Sequence, residues 1–330
     1  MSMTLLLICV ILLSLVFDFM NGLNDSSNVV ATMISSRAYS PRVALGVTAL
    51  ANFVGPFIFG VAVAEAIGNS VVDSQSINLV VILAALCSAI LWDLLALRLG
   101  LPSSSSHALI GGLVGATVMG VGWQAIKLQG LTRVLVALLA SPIIGFLFGW
   151  LILNITLLLC WKAKPSINVF FKRSQIVTGI TLALSHGTND AQKTMGLITL
   201  ALVTAGYLKV FIVPQWVILL CATAIAAGTF VGGWSLIRTL GVRMYKIRPV
   251  DGFSSQLAST SVILGASLLG GPVSTTQVVS SSIMGVGAAG RLNKVRWGVA
   301  LDIGIAWLLT IPASAIVAAG IYWLLSQFIH

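Results

Sequence analysis

The chain has 330 residues, of which 58% are hydrophobic and only 8% charged, with a formal net charge of +10 and a mean hydropathy of +1.05. A soluble domain carries about 25% charged residues, so a water-soluble globule is excluded. The long apolar runs point to an all-α polytopic membrane protein, and the basic excess is the loop bias of such a protein rather than a nucleic-acid footprint.

Residues 4–36 form the first apolar element. It is read as a retained span, since no basic residue precedes it and no obvious cleavage site follows it. Asn21-Gly22-Leu23-Asn24-Asp25 interrupts it. Gly between Asn and Asp is poor helix material, which predicts a broken or unwound span lining a protein cavity. Asp18 lies on roughly the same face as Asp25 if the helix persists. After a basic turn (Arg37, Pro41, Arg42), residues 43–64 read as a span and residues 65–76 as an acidic connection. Two apolar arms, 78–99 and 108–121, flank Gly100-Leu101-Pro102-Ser103-Ser104-Ser105-Ser106-His107, the tip of a helical hairpin. A long span ends near residue 161.

Past a connection with Lys162, Lys164, Lys172 and Arg173, the pattern repeats. A span over 176–205 carries His186-Gly187-Thr188-Asn189-Asp190, where a second break is predicted. A span over 211–237 follows, then arms at 253–269 and 278–289 around Gly270-Gly271-Pro272-Val273-Ser274-Thr275-Thr276-Gln277, and a last span over 297–325. The motifs and the tips recur at nearly the same separation, which predicts two duplicated membrane repeats, residues 1–165 and 166–330. With each hairpin returning to its own side, each half crosses an odd number of times, and the repeats are inverted. With both termini outside, the inner face receives Arg37, Arg42, the four central basic residues, Arg238, Arg243, Lys246, Arg248, Arg291, Lys294 and Arg296. The outer face receives only Lys127, Arg133 and Lys209 among basic residues, in keeping with the positive-inside rule. Cys9, Cys87, Cys160 and Cys221 have no metal-like spacing and read as small buried hydrophobes.

An ionisable residue in hydrocarbon is costly and is generally found facing a cavity or a partner, so the doubled Asn-Asp motif predicts one polar site built by both halves. Each hairpin tip opens a helix whose free N–H groups and positive dipole end favour an anion, with Ser104, Ser105, Ser106, Ser274, Thr275 and Thr276 as hydroxyl donors or caps. Asn24, Asp25, Asn189 and Asp190 offer hard oxygens suited to a coupling cation, sodium or proton, with sodium placed at Asp25 and Asp190. Lys193, three residues after Asp190, is expected to pair with it, and Asn28 is its counterpart in the first half. His107 and Gln277 occupy matching tip positions as secondary candidates, and His107 and His186 are proton-carrier options whose expected state is neutral and hydrogen-bonded. Asp93 and Arg98 do not face one another, and Asp302 reads as structural.

At these residues the chain resembles the inorganic phosphate transporter family of bacterial low-affinity permeases and sodium–phosphate symporters. The matching motifs are G-x-N-D-x-x-N at Gly22–Asn28, H-G-x-N-D-A-Q-K at His186–Lys193, and the tip patterns at Leu101–His107 and Pro272–Gln277. The resemblance implies a homodimeric carrier of inorganic phosphate and its coupling cation, with no other cofactor. A cell (plasma) membrane is expected because no targeting extension is visible, and the loop-charge reading leaves no nucleic-acid partner. Gln277 stands where relatives usually carry histidine, and Asn52 and Gln256 where many carry acidic residues. A carrier of sulfate or another oxyanion, and an anion channel, are the competing readings. An intramembrane serine enzyme is disfavoured, because the tip serines lack a paired base.

Overall fold

The computed structural model describes residues 2–240 and 246–328; Arg243, counted above with the inner-face residues, lies outside the described residues. The chain is helical throughout: α1 (Met3–Ser35), α2 (Pro41–Ile58), α3 (Ala62–Ser70), α4 (Leu79–Leu99), α5 (Ser105–Gly120), α6 (Leu128–Leu159), α7 (Ile167–Thr204), α8 (Gln215–Val231), α9 (Trp234–Arg238), α10 (Pro249–Leu268), α11 (Thr275–Gly290) and α12 (Trp297–Ser326). Five of them, α1, α2, α4, α6 and α12, are long and apolar enough to cross a membrane. Their exposed side chains are largely apolar, as with Leu139, Ile143 and Leu147 on α6 and Leu301, Leu308 and Ile316 on α12. Such surfaces suit a lipid solvent.

The predicted breaks are in the wrong helices. α1 and α7 run unbroken through both Asn-Asp motifs. Gly22 is used for contact rather than for a bend: a Cβ there would lie 2.2 Å from the Ile225 carbonyl oxygen of α8, and one at Gly187 would lie 2.4 Å from that of Asn52 on α2. Ser26 and Ser27 donate back to the carbonyls of Leu23 and Asn24 (2.8 and 2.9 Å) and so satisfy themselves within the helix. Tertiary packing overrides the weak helix propensity of the motif.

The interruptions fall instead in the second span of each half, between α2 and α3 and between α8 and α9, where the sequence predicts continuous spans. Glu65, expected in a connection, sits in the first turn of α3. Each interruption is capped by a residue just after the opposite motif. Gln192 accepts from the Val63 N–H (2.8 Å) and donates to the Gly60 carbonyl (2.6 Å), and Ser26 Oγ accepts from the Gly233 N–H (2.9 Å). Backbone groups freed inside the fold thus find partners, which hydrocarbon could not supply.

Both hairpins form as expected, and by one device. Gly100 and Gly270 close their helices with φ of 64° and 70°, a region glycine reaches without steric cost. The N–H of Leu101 and that of Gly271 return to the carbonyls of Ala96 and Ala266 (3.1 and 2.8 Å), and a proline follows in each. The next helix then starts on a serine cap: Ser104 accepts from the His107 N–H (3.2 Å), Ser274 from the Gln277 N–H (3.3 Å).

The helices pack reciprocally between the halves. α5 lies on α12 and α11 on α6, while α1 lies on α8 and α2 on α7. Small residues make the close seams. A Cβ at Gly111 or Gly115 would sit 2.4 or 2.1 Å from the backbone oxygens of Ile311 and Ala315, and one at Gly149 would sit 2.3 Å from that of Ser282. Spaced glycines of this kind let membrane helices approach along their backbones. Near the start of α10, buried Asp251 accepts from Arg248 and Lys294 (2.8 Å each), tying that helix to the segment before α12. Of the four cysteines only Cys221 is fully buried; Cys9, Cys87 and Cys160 are half-buried.

Candidate functional site

The middles of α1 and α7 cross where the two hairpin tips meet. Asp25 accepts hydrogen bonds from Thr276 Oγ1 (2.6 Å, at Oδ1) and Thr275 Oγ1 (3.1 Å, at Oδ2). Thr275 Oγ1 also lies 2.8 Å from Asp190 Oδ2, so one hydroxyl spans the two carboxylates. His186, one turn before Asp190 on α7, places Nε2 2.9 Å from Asp190 Oδ2 and 3.6 Å from Asp25 Oδ2. Asp25, His186 and Asp190 bring ligand atoms together closely enough to share a cation.

Lys193 pairs with Asp190 as expected and does more. Its Nζ donates to Asp190 Oδ1, to Ser106 Oγ of the first tip (2.6 Å) and to the Val273 carbonyl of the second (3.0 Å). An ammonium has three N–H groups, and all three are used. Lys193 therefore joins α7 to both tips. All of these side chains are at most 5% exposed, so the cluster is buried inside the fold.

The other expected residues divide by role. Asn24 Nδ2 donates to the Asp93 carbonyl on α4 (3.3 Å), and Asn189 Nδ2 to Ser267 on α10 (2.9 Å), so each motif asparagine holds the first arm of a hairpin. Asn28 donates to Thr276 Oγ1 (3.3 Å). Ser105 donates to Asp93 Oδ1 (3.0 Å). Ser104 and Ser274 act as helix caps, and Ser104 Oγ also lies 2.7 Å from His107 Nδ1. His107 and Gln277 meet each other at 3.5 Å, bordering a cavity of about 220 Å³ near Pro142 and Trp307 rather than the carboxylate cluster.

Four residues matter that the motifs did not single out as ligands. His186 is not at a tip but between the carboxylates, and its spacing of four from Asp190 is the signal that marks it. Asn52 Oδ1 lies 3.3 Å from His186 Nδ1, and its amide orientation is set by donation from Nδ2 to Thr229 (2.8 Å). Both ring nitrogens therefore face oxygen. Asp93 reaches the first tip with no motif around it. Thr194, one turn after Asp190, lies beside Asp18, which is well before Asp25 on α1. Together with the Asp25–His186–Asp190 contacts, this makes α1 and α7 antiparallel at the site.

The arrangement can bind an anion at two helix N-termini, where first-turn N–H groups lack intrahelical partners, and can balance it with hard oxygens close by. The comparisons with known proteins agree with that chemistry. The chain is 43% identical over 327 residues to a "probable low-affinity inorganic phosphate transporter" of Bacillus subtilis, covering 98% of each chain. It is 42% identical to a protein of the same description from Rhizobium meliloti, covering 96% of each. A solved structure, "the sodium-dependent phosphate transporter", superimposes with a TM-score of 0.90 at 25% identity, over 98% of this chain and all of the other. The model of the phosphate transporter family matches residues 21–318, which include both motifs and both hairpins, and the chain belongs to that family.

Proposed function

We propose that the chain is a cation-coupled carrier of inorganic phosphate, with its site at the interface of two inverted repeats, residues 1–165 and 166–330. The observation that carries this reading is the meeting of both tips with Asp25 and Asp190 around Lys193. The antiparallel course of α1 and α7 supports inversion, and the loop charges favour both termini outside a plasma membrane. The reading includes a homodimer, which the family resemblance suggests.

Phosphate would be held by the first-turn N–H groups of α5 and α11 and by Lys193, with the hydroxyls of Ser105, Ser106, Thr275 and Thr276 at the same ends. A protonated phosphate can donate to Asp25 or Asp190, which fully ionised sulfate cannot do. The residues present also fit a coupling cation, because Oδ1 of Asn24, Asn28 and Asn189 are buried acceptors with no partner among the described residues. Asp25 and Asp190, with the two threonine hydroxyls and Asn28, would hold sodium or a proton, which offsets carboxylate charge beside the anion. Thr275 and Lys193 each contact Asp190 and a tip, so loading one part of the site is mechanically linked to closing the other.

The test is labelled phosphate uptake into proteoliposomes under an imposed sodium or proton gradient, for wild type and Asp25→Asn. Concentrative uptake driven by one gradient and lost in the variant is expected. Uptake that ignores both gradients, or fails to concentrate phosphate, refutes the carrier and turns attention to a channel. Stronger inhibition by sulfate than by phosphate refutes the substrate.

A further inference from the structure

Apart from Thr194 beside it, Asp18 meets none of the site residues described above, yet its side chain is fully buried in the middle of α1. Neither carboxylate oxygen has a hydrogen-bond partner among the described residues. An isolated buried carboxylate is among the costliest groups a fold can hold, and it calls for a neutralising partner. The two basic side chains nearest in the interior are already engaged. Lys193 has spent its three N–H groups on Asp190, Ser106 and Val273, and both ring nitrogens of His186 face other oxygens.

More oxygens gather at the same place. Asn21 lies one turn along the same face of α1, roughly 4.5 Å further along the axis. Its Oδ1 is buried and unpartnered, and Thr194 Oγ1, which α7 brings within reach of Asp18, makes no hydrogen bond of normal geometry among the described residues. From α8 the buried Cys221 closes the surroundings. One carboxylate, one amide oxygen and one hydroxyl form a hard donor set with a single negative charge. That charge matches a monovalent cation, whereas a divalent ion would leave excess positive charge in an apolar interior.

We infer that Asp18, Asn21 and Thr194 form a binding site for one alkali cation, separate from the Asp25–Asp190 cluster and about 10 Å from it along α1. A proton on Asp18 neutralises the carboxylate and leaves the Thr194 hydroxyl to donate to its second oxygen. A cation instead draws the carboxylate, amide and hydroxyl oxygens to one point. Asn21 is matched by His186 in the second half, and Asp18 by Ala183, so the site has no twin. The inference rests on the carrier reading only in that this cation would be one of the coupled ions; its binding stands apart from transport.

The experiment measures equilibrium binding of ²²Na⁺ and ⁸⁶Rb⁺ to the purified full-length protein without phosphate, for wild type, Asp18→Asn and Asp25→Asn. The expected result is loss of one tracer site per chain in Asp18→Asn and retention of that site in Asp25→Asn. Size-exclusion profiles check folding. Should Asp18→Asn fail to fold, Asn21→Ala and Thr194→Val each remove one oxygen and are expected to weaken tracer affinity by about tenfold. Unchanged tracer binding in these variants overturns the inference, as does a wild type that binds neither tracer. A changed pH dependence of uptake in Asp18→Asn with unaltered tracer binding marks a proton site and overturns it too. Tracer binding that depends on Asp18 in a protein that fails to take up phosphate upholds the site and refutes only the carrier.

Discussion

Replacing Lys193 with methionine keeps its length and removes its charge. The ammonium makes an ion pair with Asp190 and ties α7 to Ser106 and Val273 at the two tips. Removing one partner of a buried pair costs about 3–5 kcal/mol, because the other charge is left behind. Asp190 keeps His186 at 2.9 Å and Thr275 at 2.8 Å, so the lower end, about 3 kcal/mol, is expected. At roughly 1.4 kcal/mol per decade this disfavours the closed arrangement by about a hundredfold. A double-mutant cycle separates the pair from general damage. Lys193→Met is expected to lower the melting temperature in detergent and abolish uptake. Lys193→Met with Asp190→Asn is expected to recover much of the stability, since no orphan charge remains, yet stay inactive. If the single variant matches wild type within about 0.5 kcal/mol, or the double variant is no more stable than the single, the pair is not what holds the tips.

Thr275→Val removes the hydroxyl that spans Asp25 and Asp190, and is expected to cut the initial rate of uptake by tenfold or more, about 1.4 kcal/mol, with Thr275→Ser restoring it. Asn52→Ala frees one side of the His186 ring and is expected to cost about 1 kcal/mol in thermal stability with a larger loss in uptake, read by melting curves and tracer flux. Gly149→Val pushes a side chain into the Ser282 backbone and is expected to destabilise the fold by about 1–3 kcal/mol, whereas Gly298→Val, where a Cβ meets nothing within 4 Å, is expected to leave the melting temperature unchanged.

The helical fold and the two hairpins were legible because their signals are local. Apolar run length sets the spans, and a glycine, then a proline, then serine within two residues mark each tip. The breaks were misplaced because Gly22 and Gly187 carry two physical meanings, a bend or a close contact, and only the neighbouring helix decides between them. Gln192 and Ser26, which cap the true interruptions, act across the two halves where no sequence spacing reports them. The carboxylate pair was legible through its duplication. Asp93 and Asp18 were not, because each stands in one half only and takes its meaning from α5 or α7. Ser104 and Ser274 illustrate the opposite limit, since a serine that caps and one that faces a ligand look alike until the helix start is fixed.

The reciprocal seating of α5 on α12 and of α11 on α6 bears on how the protein is made. A ribosome delivers α5 to the bilayer long before α12 exists, so the glycine seam of the first hairpin must wait, unsealed, for the final helix of the chain. During that interval the Ser104–His107 tip, Asp93 and Asp18 have no second half to cover them. The newborn first half is therefore an unfinished object in hydrocarbon until synthesis ends. Release of the last helix acts as the closing stitch, and the two halves reach their native form together.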